Sequence, residues 1–115
     1  MYQISYNQIV AESSDALRMQ EREAMDRGIA MLRVAQNSPQ TAGERYEALY
    51  YLKRLWSIFV DDLGGPDNEL PDEVRAGLIS IGIWISKEIQ RLETGASTDL
   101  RGLIEINEII RDALR

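Results

Sequence analysis

The sequence predicts an all-α fold, an up-and-down bundle of about four antiparallel helices with a short N-terminal arm or helical turn. Three observations carry this. Apolar residues recur at i, i+3 and i+4 along most of the chain. Capping residues and Gly/Pro punctuation cut that pattern into long segments. The connections between segments are short, which favours antiparallel neighbours. With 115 residues, the expectation is one domain over 1–115, large enough to bury a core without staples.

Tyr2, Tyr6, Ile9 and Val10 repeat at helical spacing and give the arm or turn. Ser13 or Ser14 is suited to cap the first long helix, with Asp15 at the positive end of its dipole. That helix runs to about Asn37, with Leu17, Met25, Gly28, Ile29, Leu32 and Gln36 near one face. Ala24 and Gly28, one turn apart, leave room for a neighbouring backbone. Pro39 disfavours helix at Ser38 and ends the segment.

Thr41 and Glu44 form a capping box for the second helix. Leu49, Leu52, Trp56, Phe59, Val60 and Leu63 make its core stripe. Tyr51, Leu55 and Ile58 form a second apolar row, so the arc is wider than one helix contact needs. Gly64 suits the residue after the helix, and Pro66 blocks continuation.

Pro71 suits the first position of the third helix, followed by Asp72 and Glu73. Val74, Leu78, Ile81, Ile85, Ile89 and Leu92 form its stripe. The alternation of Ile79, Ile81, Ile83 and Ile85 also fits a strand. Helix is the better reading, because the segment continues into SKEIQRLE without a turn signal and about 23 residues are too many for a strand. Gly95 is a natural C-terminal cap. Thr98 or Asp99 opens the fourth helix, in which Leu103, Ile106, Ile110 and Leu114 share one side while Leu100, Ile104 and Ile109 spread over the others.

The chain has no cysteine and no histidine. This removes disulfides, thiolate sites, serine–histidine triads and most transition-metal sites. No nucleophile–base–orienter set is visible, so an enzyme is not expected, nor is a cofactor. No signal peptide and no run of ~20 apolar residues is visible, so the expected location is cytoplasmic, without membrane insertion. Net charge is −6. Six acids and no base lie between Asp61 and Glu73, while the other 13 acids match the 13 Lys and Arg. No basic stripe exists to follow a phosphate backbone, so direct nucleic-acid binding is not expected.

Three motifs reduce to simpler readings. Gly77 to Gly82 has P-loop glycine spacing, but Ile83 stands where lysine is required. Close helix contact explains those glycines better. The acids of the 61–73 stretch do not fall on calcium-loop spacing, and a solvated loop is expected. Glu69 and Asp72 have no third group to perturb them into acid–base work. Met19, Met25 and Met31, with Tyr46, Tyr50 and Tyr51, fit either an adaptable binding surface or a core Met25 with the others scattered over the surface. Surplus apolar positions off the core stripes, namely Tyr51, Ile58, Ile79, Ile83 and Ile109, are the candidate partner-binding residues. Trp56 and Phe59 are expected to be structural.

The runs LWSIFVDDL, Leu70-Pro71, LISIGIW and RGLIEINEII, with Tyr2-Gln3 and Ser5-Tyr6, are similar to the FlaF family of flagellar biosynthesis regulators over essentially the whole chain. Each run alone is unspecific; their order and spacing carry the resemblance. It implies a small helical cytoplasmic protein of alphaproteobacterial type, required for flagellin production or export and opposing the repressor FlbT. The implied partner is flagellin, bound through its amphipathic terminal helices as by a secretion chaperone. FlbT is a second implied partner. The alternative is post-transcriptional control of flagellin mRNA, direct or through FlbT. The resemblance supplies no residue-level binding map.

Overall fold

Each segment with helical periodicity forms a helix. In the computed structural model these are α1 (Tyr6–Asn37), α2 (Ala42–Leu63), α3 (Asp72–Glu93) and α4 (Arg101–Ala113). The structure describes the backbone of residues 6–37 and 42–113, and the side chains of 20–37 and 43–113. Expectations at Tyr2, Ser38, Pro39, Thr41 and Leu114, and at the side chains of Leu17 and Met19, fall outside those residues.

Neighbours pack in the spatial order α3, α2, α1, α4. Tyr51 Oη donates to the Ala24 carbonyl at 2.9 Å, and Arg33 pairs with Glu108 while Arg111 pairs with Asp26 at 3.0 Å. The two ion pairs run α4 antiparallel to α1, and Val34 beside Glu44 at one end with Met25 beside Phe59 at the other does so for α2. The contacts of Lys53 with Glu93 and of Arg75 with the Leu63 carbonyl do the same for α3 against α2. The core joins Met25 and Leu32 to Leu52, Trp56 and Leu63, then to Ile85, Ile89 and Leu103. Burial of each such aliphatic side chain stabilises by about 1.5–3 kcal/mol. Trp56 and Phe59 are buried, their rings edge to face at 5.2 Å.

Several boundaries and faces correct the sequence reading. α1 starts at Tyr6, so neither Ser13 nor Ser14 caps it and Tyr6 to Val10 are no separate turn. No Gly or Pro lies between Tyr6 and Arg27, and interior serines cost a helix well under 1 kcal/mol each. Ten residues longer than α2, α1 runs past its partner, in keeping with the 50 Å long axis. Pro71 is the N-cap of α3 rather than its first residue, with ψ 148°. Its carbonyl accepts the Arg75 N–H at 3.0 Å. Gly64 does not take the left-handed cap conformation: its N–H continues the helical pattern to Val60 O, and the next bond, Gly65 N–H to Asp62 O, tightens the end, both at 3.1 Å. Gly95 does take it, at φ +84°, where a side chain would be strained. Val74 is exposed rather than core, since it lies in the first turn of α3 beyond the main apolar contacts. The stretch 79–85 is helical throughout.

Close approach explains Gly82 but not Gly77. A Cβ on Gly82 would lie 2.5 Å from Val60 Cγ2 and 3.3 Å from the Trp56 ring, whereas Gly77 has nothing within 4 Å. Gly28 receives α2 in the same way, with Leu52 Cδ2 at 2.9 Å from the position of a Cβ.

α4 brings the largest surprise. Its buried residues are Leu103, Asn107 and Ile110, and Leu100 just before it is fully buried. Asn107 sits a turn from each of its buried neighbours, so it belongs to the apolar stripe by spacing although not by chemistry. Its Oδ1 accepts the Trp56 indole N–H at 2.8 Å, and its Nδ2 donates to the Leu103 carbonyl at 2.7 Å. The start of α4 is held by Gln36, whose Oε1 accepts the Leu100 N–H at 3.1 Å, and by Asp99, whose carboxylate accepts the Arg101 N–H at 3.0 Å.

Candidate functional site

α2 has too much apolar surface for one neighbour, and packing it between α1 and α3 leaves a groove on each side. On the α1 side, Met31 and Ala24 face Tyr46, Tyr50, Leu55 and Ile58, enclosing about 600 Å³. This groove runs on towards Val34 and Glu44 at one end, and towards Phe59 and Asp62 at the other. On the α3 side, Val60, Ser57, Lys53 and Asp61 face Ile83, Ser86 and Ile89 around about 340 Å³.

The α1–α2 groove is walled by tyrosines. Tyr46 and Tyr50, one turn apart, stack at 6.1 Å and are both exposed. Tyr51 is half-buried, with its ring against Gly28 and its hydroxyl tied to Ala24. Arg27 lies over the Tyr51 ring and Arg54 over the Tyr50 ring, about 6 Å from each centroid, within cation–π range. Ile58 stands 62% exposed at the far end of the tyrosine row.

The candidate residues therefore separate. Tyr51 and Ile58 meet in the α1–α2 groove. Ile83, 51% exposed, lies in the α2–α3 groove. Ile79 is half-buried and packs on the core, so it is no partner to Ile83 on an open face. Ile109 is exposed on α4, away from both grooves. Sequence reasoning passed over Val34, exposed at the mouth of the α1–α2 groove, and Trp84, which is 46% exposed with its ring 3.5 Å from the place of a Gly102 Cβ. The clue to Trp84 was its place between Ile83 and Ile85, one position off the buried stripe. Met25 is core, whereas Met31 is half-buried in the groove wall.

The polar chemistry lies elsewhere. Asp99 is held down to about pKa 2 by its side-chain and backbone hydrogen bonds from Arg101, in an exposed pair outside both grooves. The acids Asp61, Asp67, Glu69, Asp72 and Glu73 are solvent-exposed, and Asp62 accepts the Asn68 amide at 3.1 Å. Among the described residues no group of three acids could hold a metal ion, and no helix is long and apolar enough to cross a membrane. The arrangement offers two grooves beside α2, of which the α1–α2 groove is the one walled by tyrosines.

The family model described as flagellar protein FlaF matches residues 2–114. No curated protein and no solved structure matches the chain.

Proposed function

The chain belongs to the FlaF family of flagellar proteins, and from that premise we propose that it is a non-catalytic cytoplasmic secretion chaperone that binds flagellin directly. The client segments are the amphipathic terminal helices of flagellin, which stay disordered until the subunit polymerises. Free in solution, such helices expose an apolar face and self-associate. A groove between two helices of a small bundle accepts one of them as a third packed helix. Ordering the client costs free energy, so the groove must be broad and apolar to compensate.

The observation that carries this reading is the run of exposed apolar side chains beside α2: Tyr46, Tyr50 and Ile58 on one flank, Ile83 on the other. An isolated exposed apolar residue means little, but a row lining a groove marks a partner surface. Regulation of flagellin synthesis then follows indirectly, by withdrawing flagellin from a feedback loop or by contact with FlbT. Direct mRNA binding is disfavoured by the net charge of −6.

Co-purification tests the proposal. The full chain should capture full-length flagellin and lose it when the terminal helices are deleted. Equal capture without those helices refutes the helix-in-groove reading. Strong retention of flagellin mRNA by the pure protein at low salt would favour direct action on the message instead.

A further inference from the structure

The two grooves beside α2 differ in their charged rims, and this difference selects one of them. In the α1–α2 groove, Arg27 of α1 and Arg54 of α2 stand at nearly the same height, since Gly28 packs on Leu52. Neither forms an ion pair among the described residues; each lies over a tyrosine ring. Along α2, Glu47 precedes Arg54 by seven residues and Asp62 follows it by eight. At 1.5 Å per residue, the rim thus reads acid, base, acid at intervals of about 11–12 Å.

A helix laid on the apolar floor would shut both guanidinium groups away from water. Burying a charge without a partner is costly, so the occupant must bring an acid to that point. Lys53, the cation of the α2–α3 groove, is already paired with Glu93 at 2.9 Å, and that smaller groove has Ser57 and Ser86 in its wall. It asks for no acid; its exposed Asp61 would ask for a base instead.

We propose that the α1–α2 groove is the client site, and that it takes one amphipathic helix of about 16 residues with a central acid and a basic residue about two turns to either side. This rests on the flagellin reading above and deepens it by naming the groove and the charge order it selects. Because the rim pattern is nearly palindromic, the charges select composition and register but not the direction of the bound helix. A client with a central lysine is rejected by repulsion from Arg27 and Arg54, which gives specificity against other amphipathic helices.

The test uses the full chain and two labelled synthetic helices with the same apolar face, one ordered Lys–Glu–Lys and one Glu–Lys–Glu, followed by fluorescence anisotropy. Flagellin capture is measured in parallel. The parent should bind the first helix at least tenfold more tightly. Ile58→Asp should lose it, Ile83→Asp should keep it, and a variant with the whole rim reversed, Arg27→Glu and Arg54→Glu together with Glu47→Lys and Asp62→Lys, should reverse the preference. Circular dichroism checks that each variant folds, and the reversal of preference is a gain that an unfolded chain would not show. Equal affinity for the two helices, or loss through Ile83→Asp rather than Ile58→Asp, overturns the inference. Flagellin capture that persists in Ile58→Asp also overturns it while leaving the flagellin reading intact. Failure of the parent to capture flagellin overturns the reading, and this inference with it.

Discussion

Asn107→Ala is the most informative single change to the fold. Asn107 is 1% exposed and Trp56 3%, so water does not reach the 2.8 Å bond between them. Removing the amide leaves the indole N–H without its acceptor, at about 1–3 kcal/mol for an unsatisfied buried group. The lost side-chain volume adds about 1 kcal/mol, on the scale of one or two buried carbon-sized groups. The expected destabilisation is therefore about 2–4 kcal/mol, a large share of the stability of a small domain. Asn107→Leu restores the volume but not the acceptor, and should stay destabilised while Trp56 is present. Combining Asn107→Leu with Trp56→Phe removes both polar partners, so the double variant should be more stable than the sum of the singles implies, by about 1–2 kcal/mol of coupling. The assay is urea unfolding followed by circular dichroism at 222 nm for Asn107→Ala and the four proteins of the cycle. If Asn107→Ala costs less than about 0.5 kcal/mol, as an ordinary surface change does, the buried bond is not the clamp between α2 and α4. Additive singles would refute it equally.

Three further predictions rest on other features. Gly82→Ala places a methyl 2.5 Å from Val60 Cγ2 and should cost about 1–3 kcal/mol by overpacking; Val60→Ala in the same chain should recover part of it in the same melt, and a Gly82→Ala protein as stable as the parent would mean that α2 and α3 separate freely. Asp67→Asn with Glu69→Gln, at exposed loop positions, should change stability by less than about 0.5 kcal/mol, and calcium-dependent melting abolished by this pair would restore a metal role to the loop. The Asp99 carboxyl, lowered to about pKa 2 by Arg101, should titrate near there by NMR and rise towards an ordinary carboxyl value in Arg101→Ala. Since its pKa is lowered on folding, its contribution is present above about pH 4 and fades as pH falls towards 2. An unchanged Asp99 titration in the variant would show that the pair does not persist in solution.

What the sequence determined by itself is what repeats locally. The period of Leu49, Leu52, Trp56, Phe59 and Leu63 fixes both a helix and its inward face, and the structure buries all five. Helical spacing also outweighed the strand-like alternation at 79–85, because the stripe through Ile85, Ile89 and Leu92 continues beyond it. Gly95 was legible as a cap because a left-handed residue is a local need. The start of α1 was not legible, since good capping residues at 13 and 14 compete with an uninterrupted helical segment and do not break it. The sequence also showed that apolar surface was in surplus, though not where it would be left open. That was decided by which helices became neighbours. Ile58 and Ile83 look equivalent along the chain, yet α1 and α3 take opposite flanks of α2 and assign them to separate grooves. Ile79 was drawn half into the core by the same packing. Asn107 reads as a polar interruption of α4 until Trp56 arrives from a helix 51 residues away to supply its partner. Periodicity is a property of neighbouring residues and can be read from their order; hydrogen bonds across the core and the sharing of a helix surface between two partners depend on distances that only the assembled bundle sets.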